Sequence, residues 1–188
     1  MDSADVGLIY SHGSYDCYET STSKKYRTTI VMGNDNDECG LTYGTSNEEV
    51  DWGDSDLNIM VVDTCHSLQK CVYDNDGYDG SMRSGNLSII MGFHGVSYDY
   101  YWHTAHFKNF VDATRTEDLG EEWVDEMTDI MWGADECATA VAWGEDTANI
   151  NEVYYNSGWR DWVDPGTAGK RKYFYWEDCE PENGEILE

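Results

Sequence analysis

Two short words in the sequence could together break an acyl bond. Ser11-His12-Gly13 follows the run Val6-Gly7-Leu8-Ile9-Tyr10, and Asp63-Thr64-Cys65-His66-Ser67 follows Leu57-Asn58-Ile59-Met60-Val61-Val62. A cysteine thiolate attacks a carbonyl carbon, and a nearby histidine accepts the thiol proton and passes it to the departing amine. His12 is the candidate general acid/base and Cys65 the candidate nucleophile. Both preceding runs are continuously apolar, as in parallel strands buried on two faces. Neighbouring strands of such a sheet open their carboxyl ends onto one crevice, which would bring His12 and Cys65 together.

The elements that must position these words follow from hydrophobic spacing. Tyr26-Arg27-Thr28-Thr29-Ile30-Val31-Met32 and the acidic turn Gly33-Asn34-Asp35-Asn36-Asp37-Glu38 suggest a hairpin inserted between the two strands. A short helix is expected after Cys65, a loop over residues 73–80, and a strand over Leu87-Ser88-Ile89-Ile90-Met91. Phe107, Phe110 and Val111 share one helical face. Leu119, Trp123, Met127, Ile130 and Met131 mark a second, longer helix, with Asp118 and Glu121 as a capping box and Gly133 at its stop. Ala138-Thr139-Ala140-Val141-Ala142-Trp143 is expected as the last core strand, and Lys170-Arg171-Lys172-Tyr173-Phe174-Tyr175-Trp176 as an added edge strand. Strands alternating with helices imply an α/β fold on a parallel sheet, and the absence of a linker-like composition break implies a single domain over residues 1–188.

The histidine-glycine pair after one strand and the Asp-x-Cys-His-Ser word after the next resemble the caspase-like cysteine peptidases, a superfamily that includes metacaspases, clostripain and gingipains. Metacaspases are the nearest in these words. Cys65 follows His12 by 65 − 12 = 53 residues, in keeping with the roughly 50 of caspases, although the caspase nucleophile signature itself is absent. Leu87-Ser88-Ile89-Ile90-Met91-Gly92-Phe93-His94-Gly95 is similar to an uncharacterised prokaryotic branch of that superfamily. The resemblance spans roughly Val6 to Gly144. It implies a caspase-like α/β sandwich with a mostly parallel central sheet and a cysteine endopeptidase whose oxyanion hole is made by the N–H groups of Gly13 and Cys65. It also implies Asp63 lining a substrate pocket for Arg or Lys. A complete caspase-like sheet has two strands before the histidine strand, so either this fold is trimmed or the sequence is a fragment. A missing strand would leave the histidine strand as an open edge, suited to pairing with a second copy as a homodimer.

Other histidines compete for the base role. His66 adjoins Cys65 and should point away from it if the segment is extended, whereas His94 follows the next strand and could line the same crevice as a substrate-binding residue. His103 and His106 have the spacing of one helical face and no accompanying ligand motif, and read as structural. Asp74-Asn75-Asp76-Gly77-Tyr78-Asp79 is rich in the oxygen ligands Ca²⁺ prefers, with Asp74, Asp76 and Asp79 as candidate metal ligands, but it does not fit an EF-hand. Calcium dependence among similar caspase-like peptidases raises the same expectation, although no cofactor is required by a thiol–histidine mechanism. The aromatic cluster Tyr98-Asp99-Tyr100-Tyr101-Trp102 suits a core, a rim or a stacking platform.

Thirty-eight acidic residues against 11 basic ones give a net charge of −27, which opposes binding to nucleic-acid phosphates. A peptide or protein substrate is the partner expected. A hydrophobic fraction of 40% supplies enough apolar area to fold, so the charge must cover a folded surface, as in proteins adapted to high salt. No run approaches the roughly 20 apolar residues of a bilayer span, and the acidic start Met1-Asp2-Ser3-Ala4-Asp5 lacks the order of a signal peptide. The six cysteines contain no Cys-x-x-Cys pair; setting Cys65 aside leaves an odd five, with one or two disulfides open. The alternative to an endopeptidase is a catalytically silent caspase-like binding module.

Overall fold

The computed structural model describes residues 5–21, 23–31, 40–44, 57–75, 87–97, 101–128, 137–167, 169–175 and 179. Eight strands occur among them: β1 (Val6–Tyr10), β2 (His12–Glu19), β3 (Lys24–Val31), β4 (Gly40–Gly44), β5 (Ile59–Asp63), β6 (Ile89–Phe93), β7 (Ala138–Gly144) and β8 (Lys170–Tyr175). The helices are α1 (Lys70–Asp74), α2 (Tyr101–Ala113), α3 (Leu119–Met127) and α4 (Thr147–Asn156). The fold is mixed α/β. A five-stranded sheet runs in the order β1-β5-β6-β7-β8, and β2-β3-β4 form a separate antiparallel sheet.

Alternation along the central strands divides the core into two layers. Ile59, Val61, Ile89, Met91, Phe93, Ala138 and Ala140 pack with Phe110, Trp123 and Ile150 from the three long helices. Their neighbours Met60, Val62, Ile90, Val141 and Trp143 face the other way, onto Ile30 of the antiparallel sheet and Leu68 and Val72 around α1. β5, β6 and β7 are buried along their whole length. Each fully buried Ile, Val or Met side chain contributes on the order of 1.5–3 kcal/mol, so the uninterrupted apolar runs explain why these strands lie at the centre. Trp123 Nε1 donates to the Gly92 carbonyl over 3.0 Å, which ties α3 to β6 and satisfies a buried indole.

β1, β5 and β6 pair in parallel, whereas β7 is antiparallel to β6 and β8 antiparallel to β7. The sheet is thus mostly parallel, as expected, with antiparallel pairing confined to β6-β7 and β7-β8. Two helices in succession, α2 and α3, separate β6 from β7, and Ala138 at the start of β7 lies opposite Phe93 at the end of β6, so β7 runs back down the sheet. The terminal strand expected over Lys170–Trp176 is present as the edge strand β8.

Helix α3 also departs from expectation. Asp118 is its N-cap, but the side chain makes no capping hydrogen bond. The first helical N–H, that of Leu119, donates to the Ser157 carbonyl at 2.9 Å instead. The helix ends at Met127 because Thr128 is extended; Ile130, Met131 and Gly133 lie outside the described residues. His103 and His106 fall within α2. The polar segment His12–Glu19 forms β2, which hydrophobic patterning alone did not reveal.

Among the described residues no helix is long and apolar enough to cross a membrane. Disulfides join Cys17 to Cys71 and Cys137 to Cys179, and Cys65 stands as a thiol.

Candidate active site

The ends of β1 and β5 are in step, with Tyr10 opposite Asp63. Ser11 leaves β1 by donating its N–H to the Asp63 carbonyl at 3.3 Å, and its hydroxyl to the Val31 carbonyl on β3. His12 then opens β2, exposed and opposite Val31. Gly13 packs so closely on the next loop that a Cβ there would collide with the Cys65 carbonyl and stand 2.7 Å from Thr64 Oγ1. The neighbours of His12 therefore touch the residues on either side of Thr64. Only a glycine permits that approach of β2 to the cysteine loop.

The cysteine loop is a tight turn. His66 adopts φ 54°, a left-handed conformation that costs a non-glycine residue on the order of 1 kcal/mol. Several bonds hold it there. Its N–H donates to the Gly95 carbonyl at 2.8 Å, and its carbonyl accepts from Thr28 Oγ1 at 3.2 Å. Gln69 Nε2 reaches both His66 Nδ1, at 2.6 Å, and the His94 carbonyl. His66 Nδ1 itself lies 3.1 Å from the same His94 carbonyl, so ring, amide and carbonyl form one polar cluster. The ring lies 4.7 Å from that of Tyr15. His66 is thus built into the wall of the turn. Ser67 completes the turn: its hydroxyl donates to the Val62 carbonyl and accepts the Phe93 N–H, both at 2.8 Å, bridging β5 and β6.

Asp63 continues the alternation of Ile59 and Val61 toward the long helices, and there it meets α2. It is 2% exposed. His103 Nε2 lies 2.9 Å from one carboxylate oxygen, and Ser97 Oγ donates to the other at 2.7 Å. A buried carboxylate demands such partners. Cys65 is partly exposed, and its Sγ lies 3.3 Å from the Ser97 carbonyl as donor. A cavity of about 250 Å³ opens beside Asp63, walled by Leu8 and Tyr10 of β1 and by His103, Thr104 and Phe107 of α2.

His94 takes another position. It is fully buried, its Nδ1 accepts the Lys70 N–H at 3.0 Å, and Tyr173 Oη approaches Nδ1 at 3.4 Å. Burial, reinforced by His66 and Lys70, pushes its pKa down to about 3. His94 is a neutral ring holding α1 to the end of β6, and its side chain has no exposed surface to offer a substrate. Asp74 ends α1 and pairs with Lys70 Nζ at 2.8 Å; Asp76 and Asp79, like Asn34–Glu38, lie outside the described residues. Among the described residues no cluster of three or more metal-ligating side chains forms.

The words around His12, Gly13, Asp63 and Cys65 converge at one end of the sheet. Ser97 and Gln69, which also build the site, carry no local signature; Ser97 lies in the loop beyond β6, and Gln69 sits at the N-cap of α1. The family model described as a domain of unknown function (DUF6345) matches residues 1–178. No curated protein and no solved structure matches the chain.

Proposed function

Starting from the chain's membership of the DUF6345 family, we propose that it is a cysteine endopeptidase of the caspase-like type, with Cys65 as nucleophile and His12 as general acid/base. The supporting observation is the contact of Gly13 with the Cys65 carbonyl, together with the bond from Ser11 to Asp63. These contacts bracket His12 between the two residues flanking Thr64. In the reaction the Cys65 thiolate adds to the scissile carbonyl, and the proton held by His12 goes to the leaving amine. Water then hydrolyses the thioester. The N–H groups of Gly13 and Cys65 are the proposed donors to the oxyanion.

Selectivity is proposed to come from Asp63. A carboxylate offers about four lone-pair sites, and the contacts with Ser97 and His103 occupy two of them. A substrate guanidinium or ammonium entering between β1 and α2 would use the others. The apolar walls suit the aliphatic stem of Arg or Lys. No cofactor enters this chemistry.

A peptide library varied before the cut bond tests the reading. Cleavage after Arg or Lys is expected, abolished in Cys65→Ala and reduced by about 100-fold or more in His12→Ala. Asp63→Asn keeps an acceptor for Ser97 and removes the charge, so it should lose basic selectivity while the protein stays folded. A folded protein that cleaves nothing, or a Cys65→Ala variant that still cleaves, would favour the silent binding module.

A further inference from the structure

The thiol of Cys65 does not rest in an unstructured crevice. It donates to the Ser97 carbonyl at 3.3 Å, while the hydroxyl of the same serine donates to Asp63 Oδ1 at 2.7 Å and Asp63 Oδ2 lies 2.9 Å from His103 Nε2. One residue thus links the nucleophile to a buried carboxylate and, through it, to helix α2. We infer that Ser97 is a positioning residue that seats Cys65 as a protonated, resting thiol. This inference rests on the reading of Cys65 as nucleophile, and its test is separate from that of His12.

The physics follows from what a carbonyl can accept. An S–H donates to it, but a thiolate has nothing to donate and is repelled by the carbonyl's negative end, so the seat exists only for the neutral form. Ionisation of Cys65 must break the contact. The serine hydroxyl keeps the carbonyl in place because Asp63 is itself held by His103. The Asp63 carboxylate, linked to the thiol through Ser97, disfavours the same ionisation, and a positive charge brought near the thiol favours it. A basic substrate side chain on the remaining lone pairs of Asp63 would draw off negative charge and weaken its hold on the Ser97 hydroxyl, loosening the seat where cleavage is to occur.

The test is the pH dependence of Cys65 alkylation by iodoacetamide, followed by peptide mapping in the full chain. Ser97→Ala should move the midpoint down by about half a pH unit or more, raising the rate below that midpoint about threefold or more. Ser97→Thr, which keeps a hydroxyl for Asp63, should retain the original profile. Since Ser97→Ala also strips a hydrogen bond from Asp63, the comparison is repeated in an Asp63→Asn background, where the downward shift should persist. Thermal melts show that each variant is folded. An unchanged midpoint in Ser97→Ala, or a Thr variant that behaves like Ala, would overturn the seat. Loss of His12 dependence with the serine shift intact would instead overturn the dyad.

Discussion

At the scale of single residues, the site's polar groups fall into those proposed to meet substrate and those fixing the turn. His94 belongs to the second group, and its effect on stability has a definite sign. Its folded pKa of about 3 lies below the ordinary 6.5 because burial penalises the charged ring. A depressed value contributes stability that is full above about pH 6.5 and is lost as the pH falls toward 3. Between pH 6.5 and 4.5 the wild type should lose about 2–3 kcal/mol more than His94→Asn, whose amide oxygen can still accept the Lys70 N–H. Urea unfolding at the two pH values measures it; parallel losses would show that His94 is not the buried neutral ring described. His12, Gly13, Asp63 and Cys65 were legible in the sequence because each adjoins an apolar run that fixes a strand end. Ser97 was not, since its contact with Cys65 runs through a backbone carbonyl that any residue type supplies. The partnership of Asp63 with His103 spans 40 residues and depends on how α2 seats against β1 and β5.

At the scale of elements, the central strands were readable from unbroken apolar runs. β2 was not: His12–Glu19 is polar, and its strand form comes from pairing along the whole of β3. The reversed direction of β7 was hidden because strand patterning carries no polarity, and only its register with β6 reveals it. The Cys17–Cys71 disulfide fastens this polar strand, which begins with His12, to α1 beyond the cysteine loop. A closed loop of 54 residues restricts the unfolded chain by about 4 kcal/mol in the chain-entropy model. The Cys17→Ser, Cys71→Ser double variant should therefore be less stable by roughly 2–4 kcal/mol in denaturant unfolding. It should also lose the proposed peptidase activity before it unfolds, because the covalent tether that fixes β2 to α1 is then gone. A double variant matching the wild type in both respects would deny the disulfide any part in holding the site.

At the scale of the whole molecule, a charge of −27 on 188 residues is a source of self-repulsion that salt relieves. The Debye length shrinks to about 3 Å at 1 M, so molar KCl should raise the melting temperature markedly over that in dilute buffer. Millimolar Ca²⁺ added at saturating KCl should raise it further if the acidic segment from Asp74 binds the ion in the native state. No increment from Ca²⁺ would reduce that segment to solvated surface. The central claim is more local: at one end of this sheet, His12 activates the thiol of Cys65. Its most direct test is the rate at which iodoacetamide labels Cys65 in the native protein at mildly alkaline pH, compared with Cys39 and with the His12→Ala variant. The account requires Cys65 to react first and His12→Ala to slow it by about tenfold or more; equal labelling of both cysteines, unchanged by loss of the histidine, would contradict it.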